Sequence, residues 1–229
     1  MSQTTPNGRT ERPFLTRAYN LSSVDDARAL YDEWATTYDK DLADPSHDWV
    51  APALAAAALL NFFNNAEQTG SGETLKILDA GCGTGIVGVD LAKQSAGKDL
   101  KLKIDGIDLS TGMLDVARKT GIYGDLETAD MSQPLSIKDQ SYDGVICVGV
   151  LTQGHVGPGV LPEFVRLVKP GGCVVATVRG DIWETGGYKK EIEMLEREGK
   201  VQILSANSED SLRGANIKMR LPVLKRLYD

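Results

Sequence analysis

The sequence has few of the residues that build metal centres or disulfide frameworks. It contains 3 cysteines and 2 histidines in 229 residues. Cys82, Cys147 and Cys173 stand in or beside apolar runs without paired spacing, which indicates reduced core thiols in the cytosol. There is no His-x-x-x-His pair, no cysteine pair and no acidic triplet at ligand spacing. We therefore expect no bound metal.

A surplus of basic residues and a long hydrophobic run are also absent. The net charge of −7 argues against surfaces for nucleic acid or anionic membrane, since both need clustered lysine and arginine. The most apolar run, residues 53–60, is far shorter than the roughly 20 residues of a membrane span. Residues 1–12 are polar, so a secretory signal is not expected. We expect a cytoplasmic protein with a small-molecule partner and with neither nucleic acid nor membrane as partner.

The domain organisation follows from hydrophobic patterning. From Leu75 onward, strand-like apolar runs alternate with helical patterns, which predicts an α/β fold with a mostly parallel sheet and helices on both faces. A linker rich in Asn, Gly and Ser, residues 64–73, precedes this core. The predicted segments are a flexible tail over 1–20, an N-terminal helical segment over 21–66 and a core over 74–229. Beyond the strand that begins at Leu75, the predicted strands are 100–108, 125–129, 142–150 and 173–178, followed by two more within 201–205 and 217–224.

The most informative stretch is residues 75–85, an apolar run that ends in Asp79 and then carries glycine at every second position, Gly81, Gly83 and Gly85. Glycine allows sharp turns and lets a ligand approach the main chain. A helical pattern follows, and the first N–H groups of a helix lack partners. A strand, a tight glycine loop and a helix N-terminus form the first half of a nucleotide-type cleft.

The position of Asp79 separates two classes of nucleotide. Residues 83–88 satisfy the dinucleotide fingerprint G-x-G-x-x-G, which is a weak signal by itself. A carboxylate directly before the glycine turn would repel a pyrophosphate and attract a ligand with an ammonium group. The stretch resembles the first motif of class I S-adenosylmethionine-dependent methyltransferases, an acidic residue followed by Gly-x-Gly-x-Gly. A dehydrogenase is the alternative.

Asp108 ends the next predicted strand, where a nucleoside-binding fold places an acceptor for the ribose hydroxyls. A carboxylate suits this role because it can accept two hydrogen bonds from a vicinal diol. Met113 follows one turn into the next helix, where it packs either on an adenine or in the core.

Further motifs extend the resemblance over about residues 31–178. The segments YDEWATTYD, LDAGCGTG and GVLTQGHV look closest to the Williams-Beuren region methyltransferase-like group. The resemblance implies a Rossmann-like class I methyltransferase fold, with a seven-stranded sheet, a closing antiparallel strand and an N-terminal helical lid. The apolar-aromatic face of residues 27–38 also suits plain packing on the core. The implied cofactor is S-adenosyl-L-methionine, with S-adenosyl-L-homocysteine as product. The expected cofactor-binding residues are Tyr31, Tyr38, Asp79, Gly81, Gly83, Thr84, Gly85, Asp108, Leu109, Met113, Asp130, Met131, Val148 and Gly149.

The acceptor is expected in the loops that follow the fourth and fifth strands. Gln153 and His155 lie in the first loop, and the unperturbed pKa of histidine suits a general base. A loop histidine without a chemical role is the alternative. Arg179 and Trp183 lie in the second loop, among flexible glycines, and either contact the acceptor or pack.

The resemblance implies in-line transfer of a methyl group to an O, N or C atom of a small molecule. Because the sulfonium is already reactive, the protein mainly positions the reactants and excludes water. A protein methyltransferase and a methyltransferase-like fold that only binds the cofactor are the alternatives.

Overall fold

The computed structural model describes residues 13–65, 73–98 and 100–228. Residues 1–12 of the predicted tail, and most of the predicted linker, lie outside these ranges. The remainder of the predicted tail contains a helix, α1 (Pro13–Ala18), whose Ala18 is buried against the helices that follow. This stretch is therefore packed structure rather than tail.

The described residues form one seven-stranded sheet in the order β3-β2-β1-β4-β5-β7-β6. Strands β1 to β5 pair in parallel, while β7 is antiparallel to both β5 and β6. The order of the strands reverses between β1 and β4, which creates a crevice at their carboxyl ends. The predicted sheet and its antiparallel closing strand are confirmed. The strands are β1 (Thr74–Ala80), β2 (Lys101–Asp108), β3 (Tyr123–Thr128), β4 (Tyr142–Leu151), β5 (Val168–Arg179), β6 (Val201–Leu212) and β7 (Ile217–Arg226).

Helices cover both faces of the sheet, because its central strands are apolar on both sides. In β1, Ile77 packs with one helical layer and the adjacent Leu78 packs with the other. Val145 and Ile146 divide in the same way along β4, as a strand period of two requires. After α1 the helices are α2 (Val24–Trp34), α3 (Tyr38–Leu42), α4 (Ala51–Asn65), α5 (Ile86–Ser95), α6 (Thr111–Lys119), α7 (Val160–Leu167) and α8 (Tyr188–Arg197).

The N-terminal aromatic segment forms two helices. Helix α2 begins after Ser23, whose side chain caps the helix by accepting a hydrogen bond from the N–H of Asp26. It ends at Trp34, and Tyr38 begins α3. One face of α2 buries Leu30 and Trp34, while Tyr31 lines the crevice, so the segment both packs on the core and covers the crevice.

Residues 169–172, whose two glycines favour a turn, form a bulge inside β5. The pairing register between β4 and β5 shifts there, and Gly171 adopts a φ of +83°. The bulge arises because Val168 already pairs with Tyr142 before the turn residues. The strand therefore begins earlier than the sequence pattern indicates.

The described residues contain free cysteines, but no membrane-spanning helix and no metal-binding cluster. Cys82, Cys147 and Cys173 are buried and free of disulfides. Within the described ranges, no helix combines the length and hydropathy needed to cross a membrane. The same residues hold no group of three or more His, Cys, Asp or Glu side chains placed to bind a metal ion.

Candidate functional site

A cavity of about 800 Å³ opens at the carboxyl ends of β1, β2 and β4, under helix α2. We call it the carboxyl-edge cavity. Its position is the crevice where doubly wound sheets bind their ligands. The residues that line it are Ser23, Val24, Ala27, Tyr31, Tyr38, Gly81, Gly83, Asp108, Leu109, Met113, Ala129, Asp130, Met131, Ser132, Val148, Gly149, Val150, Gly154, His155 and Val156.

The glycine loop after β1 presents bare main chain to this cavity. Gly81 has a φ of +78°, and a Cβ built on it would lie 2.2 Å from Cγ2 of Val150. No other residue type fits there without moving the wall. The N–H of Gly83 donates to Oδ2 of Asp108 at 2.8 Å, which ties the loop to the end of β2.

Asp108 is the carboxylate that lines the cavity at the switch point. Its Oδ1 accepts from the N–H of Ser110 at 2.9 Å, and its Oδ2 accepts from Gly83. Burial raises its pKa, while these backbone N–H donors oppose the rise. The carboxylate is thereby fixed in orientation and keeps further lone pairs for a ligand hydroxyl.

Asp79 does not line the cavity, contrary to the sequence prediction. It is fully buried, and its Oδ2 accepts from the hydroxyl of Tyr123 at 2.7 Å. Among the described residues, its Oδ1 has no hydrogen-bond partner. Loss of solvation raises its pKa to about 7. The Asp79 carboxylate therefore lies behind the cavity wall, where it accepts a hydrogen bond from Tyr123 of β3. No local sequence motif predicts this contact.

The end of β3 supplies another polar wall. Oδ1 of Asp130 accepts from the N–H of Ser132 at 2.8 Å, and Met131 is buried beside it. Leu109 and Met113 approach from the start of α6, where Ser110 caps the helix by accepting from the N–H of Met113. A carboxylate beside apolar side chains suits a flat heterocycle with an amine edge.

Tyr31 and His155 form a hydrogen-bonded pair at the far end of the cavity. The Tyr31 hydroxyl lies 2.7 Å from Nε2 of His155, and Nδ1 lies 3.0 Å from the Gln153 carbonyl oxygen. A carbonyl can only accept, so Nδ1 carries the proton in the neutral ring and Nε2 accepts from Tyr31. Burial lowers the pKa of His155, which keeps the ring neutral near pH 7.

A second cavity, of about 640 Å³, lies on the other side of this pair. We call it the aromatic cavity because Tyr19, Trp34 and Trp49 join Tyr31 and Tyr38 in its wall. Tyr38 packs edge-on against Trp34 at 4.7 Å and against Trp49 at 6.1 Å between ring centroids. The polar residues in its lining are Thr152, His155, Thr177, Arg179 and Ser211.

The two cavities share one wall. Tyr31, Tyr38, Gly149 and His155 line both of them. Gly149 has a φ of +77°, its N–H donates to the Thr177 hydroxyl at 3.0 Å, and a Cβ there would lie 3.2 Å from Trp49. A small residue at this point therefore keeps the wall thin.

Most residues predicted from the sequence lie at one of these cavities, and four besides Asp79 do not. The Thr84 hydroxyl donates to the carboxylate of Asp39. Gly85 is the N-cap residue of α5, and a Cβ there would lie 3.1 Å from the Tyr123 ring. The main-chain carbonyl of Gln153 accepts a hydrogen bond from Nδ1 of His155, while the residue itself is exposed. Trp183 is 7% exposed and packs in the core beneath α8, which corrects its prediction as an acceptor contact.

Sequence reasoning missed Tyr19, Trp49, Thr152 and Tyr123 as parts of the site or its support. They come from four separate segments that the fold brings together. The isolated bridge between Trp49 and Leu212 shows how such contacts arise, since it joins the start of α4 to the end of β6. No spacing rule within one segment identifies them.

Comparisons with known proteins agree with this architecture. A family described as a methyltransferase domain matches residues 77–172. Human Methyltransferase-like protein 27 is 33% identical over 169 residues, which are 73% of this chain and 64% of that protein. A Klebsiella pneumoniae ubiquinone biosynthesis O-methyltransferase is 33% identical over 113 residues, 48% of this chain and 44% of that protein. The chain thus spans less than two thirds of the length of these relatives.

A solved S-adenosylmethionine-dependent methyltransferase from Methanosarcina mazei shares the fold, with a TM-score of 0.54 and 19% identity. The match covers 69% of this chain and 94% of that one. The sheet order, the glycine loop and the crevice define a Rossmann-like, nucleoside-binding α/β protein. Within that class, the methyltransferase-domain match and the human relative support a class I S-adenosylmethionine-dependent methyltransferase, with S-adenosylmethionine as cofactor.

Proposed function

We propose that this chain binds S-adenosylmethionine in the carboxyl-edge cavity and moves its methyl group to a small molecule in the aromatic cavity. The observation that carries the proposal is the wall that the cavities share, formed by Tyr31, Tyr38, Gly149 and His155. Methyl transfer needs donor and acceptor in contact, with water excluded between them. The four shared residues place the two cavities side by side, so a donor in one and an acceptor in the other would meet at this border.

The residues of the carboxyl-edge cavity suit the cofactor. Asp108 would accept from the ribose hydroxyls, and Asp130 would accept from the adenine amine with Met131 against the ring. Gly81 has no side chain, and a Cβ there would overlap Val150. Its main chain therefore leaves room for a ligand to approach closely. Val148 and Gly149 would border the sulfonium end.

The dimensions and charge support a small acceptor. A concave site with aromatic walls and a few polar groups is typical of sites for small molecules. The net charge of −7 disfavours nucleic acid and anionic membrane as partners. A relative named as an O-methyltransferase of ubiquinone biosynthesis also supports a small acceptor. A protein substrate is the second candidate, and it would have to insert a single side chain into the same cavity.

The chain's own residues then supply position and a proton acceptor. When bound, S-adenosylmethionine would supply an electrophilic methyl carbon to the acceptor atom, with the thioether as the leaving group. Neutral His155 favours an acceptor that loses a proton, above all a hydroxyl. That proton passes to the Tyr31 oxygen while Tyr31 gives its own proton to Nε2 of His155.

Calorimetry tests the cofactor half of the proposal. The protein is expected to bind S-adenosylhomocysteine and not NAD. Asp108→Asn should weaken that binding about tenfold or more, because it removes a charged acceptor for two hydroxyls. The matched control is Asp115→Asn, an exposed aspartate on α6 outside both cavities. Absence of S-adenosylhomocysteine binding by the intact protein contradicts the proposal.

A methyl-release assay against metabolite extracts tests the transfer half. Turnover with extracts from which macromolecules have been removed supports a small acceptor. Turnover only when protein is added would favour the second candidate. Cofactor binding without turnover in either case would leave a binding protein of this fold and contradict the proposed transfer.

A further inference from the structure

Two residues that line the aromatic cavity each carry a buried polar atom without a partner among the described residues. Nη1 of Arg179 and Oγ1 of Thr152 are buried, and neither has a hydrogen-bond partner among the described residues. Both residues line the aromatic cavity. Buried polar groups are almost always hydrogen-bonded, so an unpartnered pair in one cavity points to a ligand that completes them.

Arg179 is held in place from its other sides. Its Nη2 lies 3.0 Å from Oδ2 of Asp181, and its guanidinium lies 4.2 Å from the ring centroid of Tyr19. Both contacts restrict the long side chain before any ligand binds. A preorganised guanidinium loses less conformational entropy on forming a further hydrogen bond.

The chemistry of the pair favours an oxygen anion. An arginine nitrogen only donates, and the threonine hydroxyl can donate as well. None of the described residues that line the aromatic cavity is acidic, and Asp181 pairs with Nη2 of Arg179, which leaves Nη1 without a partner among the described residues. A carboxylate has two oxygens that can accept from both donors at once, which suits this pair better than a hydroxyl or an amine.

The rest of the cavity favours a flat ring. Tyr38 packs edge-on against both Trp34 and Trp49, and all three residues line the cavity. Tyr31 and His155 lie in the wall shared with the carboxyl-edge cavity. One ring can therefore carry a carboxylate toward Arg179 and a hydroxyl toward Tyr31.

We propose that the methyl acceptor is an aromatic hydroxy acid whose carboxylate binds Nη1 of Arg179 and the hydroxyl of Thr152. The inference rests on the proposed function, since it names the substrate class of the same cavity. It makes Arg179 and Thr152 specificity-determining residues with no part in cofactor binding. Oxygen is then the methylated atom, and its proton leaves through Tyr31.

The test is calorimetry with two matched probes, 3,4-dihydroxybenzoate and 4-methylcatechol, on protein saturated with S-adenosylhomocysteine. The probes differ only in the carboxylate, which a methyl group replaces. The intact protein should bind the acid about tenfold or more tightly than the neutral catechol. Arg179→Gln should remove that preference while leaving binding of the catechol and of S-adenosylhomocysteine unchanged.

Two further variants guard against a folding artefact. Thr152→Val keeps the side-chain shape, and it should reduce the preference for the acid severalfold. Arg197→Gln changes an exposed arginine at the end of α8, outside both cavities, and should change nothing. Equal affinity for the two probes, or an equal loss of both in Arg179→Gln, overturns the proposal, as does failure of both probes to bind. In each of those outcomes, retained S-adenosylhomocysteine binding separates this failure from failure of the proposed cofactor site.

Discussion

The hydroxyl of Tyr31 lies 2.7 Å from Nε2 of His155, in the wall that separates the two cavities. The Gln153 carbonyl fixes the other ring nitrogen as a donor. His155 alone therefore offers no vacant acceptor toward a substrate, because its lone pair already receives the Tyr31 proton. The two side chains act as one proton acceptor whose outer atom is the tyrosine oxygen.

Tyr31→Phe should lower kcat by about 100-fold, since it removes the outer atom of this pair but keeps the ring in both walls. His155→Gln should cause a similar loss. The double variant should lose little more than either single change, as expected for groups that act as a unit. Steady-state kinetics with an acceptor from the methyl-release screen provide the measurement, and Tyr228→Phe, at a tyrosine 63% exposed, is the control. Full turnover in Tyr31→Phe would remove the pair from the mechanism.

The rate should also depend on pH in a direction set by His155. Burial lowers its pKa below the ordinary value of 6.5, and the ring accepts a proton only while it is neutral. The rate should therefore fall at acid pH with a midpoint below 6.5. A pH profile of kcat/KM measures this. A midpoint above 6.5 would mean that another group controls the rate.

Asp79 gives the folded protein a pH dependence of opposite sense. Its folded pKa is about 7, against 3.8 in the unfolded chain, so the folded state holds an extra proton between these values. Stability should therefore fall as pH rises from about 4 to about 7. The loss from this group is at most about 4 kcal/mol.

Asp79→Asn should remove that part of the pH dependence. The amide is neutral at all pH values, and its oxygen can still accept from the Tyr123 hydroxyl. Denaturant unfolding at pH 5 and pH 8 should show that the free energy of unfolding of the variant, relative to that of the natural protein, is higher at pH 8 than at pH 5. Asp115→Asn, 69% exposed in its side chain, should show no such gain. Equal pH dependence in Asp79→Asn and the natural protein would show that Asp79 titrates normally.

The sequence predicts this sheet and its crevice because both depend on local patterns. The apolar runs of β1 and β4, and the glycines that follow β1, are readable within one segment. The direction of the Asp79 side chain is not, because Tyr123, from another part of the chain, determines it. The same holds for Arg179, which lies over Tyr19, just after α1, and lines the aromatic cavity together with Thr152 from the loop after β4.

Trp183 shows the limit of composition as a guide to function. Its glycine-rich surroundings are typical of a loop that lines a pocket, yet the ring fills the core under α8. Trp183→Ala should therefore lower the free energy of unfolding by about 3–5 kcal/mol, as a large buried side chain does when it is truncated. Binding of S-adenosylhomocysteine by the folded fraction should stay unchanged. A variant that unfolds normally but fails to turn over would place the ring at the acceptor instead.

Two glycines with positive φ allow the stability cost of backbone strain to be separated from the cost of steric overlap. Gly81 and Gly121 both have positive φ, +78° and +67°, but a Cβ would clash with Val150 only at Gly81. Gly121→Ala should therefore cost only the strain of a left-handed residue, about 1–2 kcal/mol. Gly81→Ala should cost that amount plus about 1–3 kcal/mol of overpacking.

The same pair of variants should differ in ligand affinity. Because the displaced Val150 lines the carboxyl-edge cavity, Gly81→Ala should also weaken binding of S-adenosylhomocysteine. Gly121→Ala lies outside both cavities and should bind as the natural protein does. Denaturant unfolding and calorimetry on the two variants measure both effects. Equal stability and equal affinity in Gly81→Ala and Gly121→Ala would show that Val150 moves aside at little cost. The contact between Gly81 and Val150 would then not determine the shape of the cavity.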